Sequence, residues 1–202
     1  MHSESKFLFR KTNNNDLMNT LLGALKTPLG KTKIEQLAAI AAIENFSGQD
    51  LIDLSFHKDE QVGFRAAWIL ERVYSNHQER FLPHALYFLD KFAAQRNLSA
   101  MRHYVKILAF MTHKKASDAV KGIISDYDTT TLVEVVFAWL IDEKIPVAVK
   151  SHCLNILANL ITKHHWIKDE LVETMEFLID RESVAFFAKV KQIRKQLASK
   201  FV

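Results

Sequence analysis

Val62-Gly-Phe-Arg-Ala-Ala-Trp-Ile-Leu-Glu-Arg-Val73, opened by Asp59, is repeated in outline by Val149-Lys-Ser-His-Cys-Leu-Asn-Ile-Leu-Ala-Asn-Leu160. In both stretches an apolar residue occupies the same four places: Val62, Ala66, Leu70 and Val73 against Val149, Cys153, Leu157 and Leu160. Steps of four, four and three residues return to one face of a 3.6-residue helix, so each set forms a single stripe. A helical unit that recurs along a chain buries its stripe against its neighbours. The spacing therefore predicts an all-α array of stacked helix pairs whose core runs the length of the chain.

The composition agrees. Only five Gly and three Pro occur in 202 residues, too few for the many turns of a β-sandwich or barrel and enough for long helices joined by short loops. Apolar residues make up 49% and charged residues 25%, which argues against a disordered or fibrous chain. The single Cys, Cys153, excludes an internal disulfide framework and fits a reducing compartment. Its place on the apolar stripe predicts a buried thiol acting as a small hydrophobe. The N-terminal stretch Met1-His-Ser-Glu-Ser-Lys-Phe-Leu-Phe-Arg10 has neither the apolar region nor the small-residue cleavage site of a signal peptide. No apolar run reaches membrane-spanning length. The expected location is cytoplasmic.

Turn and cap signals divide the chain into roughly ten helices. Asp16 is expected to cap Leu17–Leu25, and Thr27-Pro-Leu-Gly30 to break it. Ser47-Gly-Gln-Asp50 has capping-box form, with Asp in place of Glu. A continuous helix is expected over Gln78–Ala94, with Phe81, Leu82, Ala85, Phe88, Leu89 and Phe92 on one face and Pro83 near its first turn. Asn97, Ser117, Asp128 and Pro146 open further helices, and two more, about Ile167–Ile179 and Val184–Ser199, finish the chain. No linker is long enough to divide domains, so residues 1–202 are expected to form one domain, with 1–15 as an N-terminal extension and 183–202 as a capping helix.

An opening Asp or Pro followed by apolar, basic, Ala or Cys, Leu and apolar positions resembles the second helix of a HEAT or armadillo repeat. The matching residues are Asp59, Val62, Ala66, Leu70 and Val73, then Pro146, Val149, Lys150, Cys153, Leu157 and Leu160. Gly63 stands where the family has the basic residue that Lys150 supplies in the other copy, which puts the inter-repeat hydrogen bond in question there. The helix from Asn97 matches only through Met101, Arg102 and Val105. Arg65-Ala-Ala-Trp-Ile-Leu70 together with Ile145-Pro-Val-Ala-Val-Lys150 is similar to a group of small bacterial HEAT-like proteins. The resemblance spans roughly residues 34–197, implies a right-handed α–α superhelix and supplies no known activity.

Such arrays work through the face formed by their second helices. With the two copies in register, Arg65, Trp68 and Arg72 stand opposite His152, Asn155 and Asn159, and Arg102 and Lys106 extend the row. Arg and Trp dominate interface hot spots, so these eight residues are the candidate binding face for a protein partner. The bland alternative is that Trp68 packs between repeats while the arginines cap neighbouring helices.

Other chemistry finds less support. Nine His include no metal-ligand spacing, and His164-His165 point about 100° apart on a helix; no metal or cofactor is expected. No nucleophile elbow or phosphate loop occurs. Trp139 with Asp142 faintly resembles the site of HEAT-like DNA glycosylases, but at a spacing of three residues where that family has four, and Leu132–Ile141 is so apolar that it reads as buried. Formal charge is +4. Ser183 to Val202 carries five bases and no acid, which leaves the rest near neutral and gives a thin electrostatic footprint for nucleic acid. Nucleic-acid binding stays open as the alternative. The same basic C-terminal segment has Phe186, Phe187, Val190, Ile193, Leu197 and Phe201 on its other side, which suits a capping helix, a docking helix or a weak homodimer contact.

Overall fold

The structure, a computed structural model, describes the backbone of residues 14–43 and 48–200 and the side chains of residues 19–39 and 48–198. All regular structure among these residues is helical. Five helices form one row in which each packs against the next: α2 (Lys31–Ile43), α4 (Glu60–Asn76), α7 (Leu98–Met111), α10 (Val147–Leu160) and α12 (Val184–Lys200). Outer helices lean on this row, with α1 (Asn14–Leu25) and α3 (Gly48–Leu54) on α4, α8 (Asp118–Asp126) on α7, α9 (Thr130–Ile141) on α10, and α11 (Ile167–Ile179) on α10 and α12. All eight stripe positions of the duplicated stretch are buried, Cys153 among them.

The helix from Asn97 is a third full copy. Asp59 and Asn97 cap α4 and α7 identically, each side chain accepting from the backbone N–H groups two and three residues on. In that register Ala100, Tyr104, Leu108 and Met111 take the places of Val62, Ala66, Leu70 and Val73, and all are buried. Tyr104 fills the site that Ala66 holds in α4, and its hydroxyl reaches the Ser55 hydroxyl at 2.6 Å, so a large aromatic disguises the repeat.

Gly63 also finds its reason. A Cβ there would lie 2.9 Å from the Ser55 carbonyl oxygen and 3.2 Å from Asn97 Nδ2. The end of α3 approaches α4 too closely for a side chain. The inter-repeat bonds are made from the next unit instead: Gln95 Nε2 donates to the Ser55 carbonyl at 3.3 Å and Asn97 Nδ2 to the Glu60 carbonyl at 2.8 Å. In the other copy Lys150 is 1% exposed and its ammonium pairs with Glu182 of the following unit.

Some boundaries differ from expectation. The predicted helix over 78–94 is split into α5 (Gln78–Phe81), a 3-10 turn over Leu82–His84, and α6 (Ala85–Phe92). Pro83 lies past the first turn, where its missing N–H and its ring disrupt the i→i−4 ladder. Asp16 falls inside α1 rather than capping it, and Pro146 opens α10 as its N-cap. Ser47 and Phe201 lie outside the described residues. α12 places Phe186, Val190, Ile193 and Leu197 in the core, packed with α10 and α11.

Candidate functional site

A half-open cleft of about 600 Å³ lies across α4, α7 and α10. Trp68 and Arg72 enter it from α4, Arg102 and Lys106 from α7, and His152 from α10. Five of the eight residues expected on the binding face thus meet in one place. The ends of the helices close it: Leu98 and Ser99 at the start of α7, Pro146, Ala148 and Val149 at the start of α10.

Three expected residues do other work. Arg65 turns away, and its Nη1 donates to the Leu25 carbonyl at 2.7 Å, closing the C-terminus of α1, where a cation is favoured. Asn159 joins α10 to its neighbours by donating to the Ala109 carbonyl (3.4 Å) and Thr112 Oγ1 (3.3 Å) and accepting from Gln196 (3.4 Å). Asn155 is half-buried and does not line the cleft. Register alone could not separate these from the others.

Two polar residues that the sequence reading passed over hold the site together. Glu71 is 3% exposed, and its two oxygens are both engaged, Oε2 with His103 Nδ1 at 2.5 Å and Oε1 with Lys106 Nζ at 2.6 Å. Burial pushes the carboxyl up, but the hydrogen bonds and charges of His103 and Lys106 outweigh it and hold the group at about 2. Glu71 is therefore ionised throughout the physiological range. His103 in turn stacks on Trp68, with ring centroids 6.0 Å apart at 13°, and Phe64 leans against both rings. The aromatic wall is thereby fixed by the buried Glu71 carboxylate. The only signal in the sequence was the i, i+3 spacing of His103 and Lys106, which nothing tied to Glu71.

In the same cleft, Arg72 Nε and His152 Nδ1 are buried with no hydrogen-bond partner. Burial first, then the charges of Lys106, Lys189 and Arg102, pull His152 down to about 4, so it is neutral at pH 7. Lys189 lies on α12 and extends the positive row to a fourth helix.

The remaining candidates resolve differently. Trp139 is buried against Phe92, with ring centroids 5.1 Å apart, and Asp142 accepts from the Lys144 N–H at 2.8 Å in the turn after α9. Trp139 therefore faces the core rather than a groove, and the two do not form a base-binding site. Burial raises the Cys153 thiol well above its usual range. His164 Nε2 meets Thr129 Oγ1 at 2.7 Å in the loop after α10. Among the described residues no helix is long and apolar enough to cross a membrane.

No curated protein matches the chain. The repeated capped helices, their shared stripe and the single row of inner helices agree with a family model that covers residues 21–200, and the chain belongs to the HEAT repeat domain family.

Proposed function

We propose that this protein is a non-enzymatic binding module that engages a segment of a partner protein in the cleft across α4, α7 and α10. The observation that carries this reading is the convergence of Trp68, Arg72, Arg102, Lys106 and His152 on one cleft with a fixed aromatic wall. Hot-spot side chains of this kind, held rigid before binding, lose little entropy on association. The five groups come from three separate helices, so the site exists only in the folded array.

Affinity purification with the full chain tests the reading. A partner enriched by the wild type is expected to be lost with the double variant Trp68→Ala/Arg102→Ala and retained with Lys121→Ala on α8, away from the cleft. Equal enrichment by all three would place binding elsewhere. Nucleic acid is the competing ligand, favoured by the cationic row; its mark is a duplex shift at physiological ionic strength that weakens steeply with added salt.

A further inference from the structure

The polar groups of the cleft are unevenly matched. Its one carboxylate, Glu71, is already bound on both oxygens by His103 and Lys106. The cations around it are not balanced in the same way. Arg102 is exposed, Arg72 Nε is buried with no acceptor, and His152 Nδ1 in the same cleft is buried and unpartnered as well. A buried N–H without an acceptor costs roughly 1–3 kcal/mol, and a guanidinium cannot shed its proton to escape that cost. The charges bearing on His152 (Lys106, Lys189 and Arg102) are strong enough to help suppress a further positive charge there. That is the electrostatic condition of a site whose counter-anion comes from outside.

The arrangement of the cations, with the neutral His152 as an N–H donor among them, indicates the shape of that anion. Arg72 stands on α4, Arg102 and Lys106 on α7, His152 on α10 and Lys189 on α12, consecutive members of one packed row. Packed helices lie about 8–10 Å apart, and an extended chain advances about 3.3 Å per residue. A peptide laid across the row therefore passes one helix about every three residues. A single small anion would reach one or two of these groups. Duplex DNA carries a charge about every 1.7 Å, far denser than the row. An extended peptide with an acidic residue at about every third position matches it, and the side chains between find the apolar ends of α7 and α10 at Leu98 and Ala148.

We infer that the row from Arg72 to Lys189 recognises an extended acidic segment of a partner protein, with one carboxylate seated between Arg72 and His152. This rests on the module reading above and narrows it to a partner chemistry.

Selection of a displayed library of random peptides against the full chain tests the inference, because the library carries no charge bias of its own. Asp and Glu are expected to be enriched among the binders. Replacing any one of those acids with its amide is expected to weaken binding about tenfold, the effect of losing one charge-assisted hydrogen bond. Arg102→Gln, at an exposed position whose loss leaves the fold intact, and Arg72→Gln should each do the same. Binders of neutral composition that still lose affinity in the two Arg variants would overturn the acidic partner while leaving the module reading in place. Binders indifferent to both variants would overturn the site. If no peptide is selected, or only oligonucleotides bind, both readings fail.

Discussion

Taking the Glu71 carboxylate out of water costs several kcal/mol unless its partners replace the lost hydration, and here His103 and Lys106 do so on both oxygens. Glu71→Gln leaves Lys106 without its counter-charge and loosens the His103 ring that supports Trp68. The expected loss is roughly 3–5 kcal/mol, typical of breaking one side of a buried pair, read as a lowered midpoint in chemical denaturation. Acid should act through the same residues. The Glu71 carboxyl is held below its ordinary value, at about 2, so its contribution is present above about pH 4.5 and is lost as pH falls toward 2. His152 is also lowered, to about 4, so the unfolded chain binds its proton first and stability falls from about pH 6.5 down to 4. Stability measured against pH should therefore decline in two successive steps. His152→Gln should remove the upper step and leave the lower one.

Helix contacts at the next scale turn on how closely backbones approach. Gly63→Ala gains helix propensity of about 1 kcal/mol, but its Cβ meets the Ser55 carbonyl at 2.9 Å, and that backbone cannot swing aside as a side chain would. A net loss of about 1–2 kcal/mol is expected. Gly122 in α8 has nothing within 4 Å of its would-be Cβ, so Gly122→Ala should stabilise by up to about 1 kcal/mol. The paired thermal melts, one lowered and one raised, test the close approach directly. Lys163 offers a second element-scale test. Its ammonium donates to the carbonyls of Ile124 (2.7 Å), Ser125 (2.8 Å) and Tyr127 (2.5 Å), closing the C-terminal end of α8. Lys163→Met should release that end, seen as faster amide hydrogen exchange over 118–126 before the global transition changes.

Across the whole molecule each inner helix covers the one before it. Removing residues 183–202 would strip the cover from α10 and leave Lys150 close to an opened interface. A chain ending at Glu182 is expected to unfold at lower temperature and less cooperatively, because a repeat array draws its stability from neighbour interfaces. A sharp, unshifted calorimetric transition would show that α12 is dispensable. The same packing bears on dimerisation: Phe186, Val190, Ile193 and Leu197 of α12 are buried in the fold, so a second copy docking on those four would have to displace α10 and α11.

The fold was legible because burying a helix needs only an apolar residue every three or four positions, and Val62, Ala66, Leu70, Val73 and their counterparts in α10 carry that pattern openly. Asp59 and Asn97 announced their helices for an equally local reason, since a cap bonds N–H groups two and three residues away. Tyr104 hid the third copy because volume, not period, differs there, and only the pocket beside Ser55 explains the exchange. The cleft was legible in part. Trp68, Arg72, Arg102, Lys106 and His152 share a face by spacing, whereas Arg65, Asn155 and Asn159 share that spacing and do not line the cleft. Which way a long polar side chain turns depends on the acceptors within reach, such as the Leu25 carbonyl for Arg65, and those come from distant residues. Glu71 shows the limit most clearly: its partners are 32 and 35 positions away. The sequence by itself determined the periodicity, the caps and the stacked array, because these depend on local geometry. Only the tertiary structure decided which charges pair, which remain unmatched and where the cleft lies, because electrostatic balance is set by distances in space.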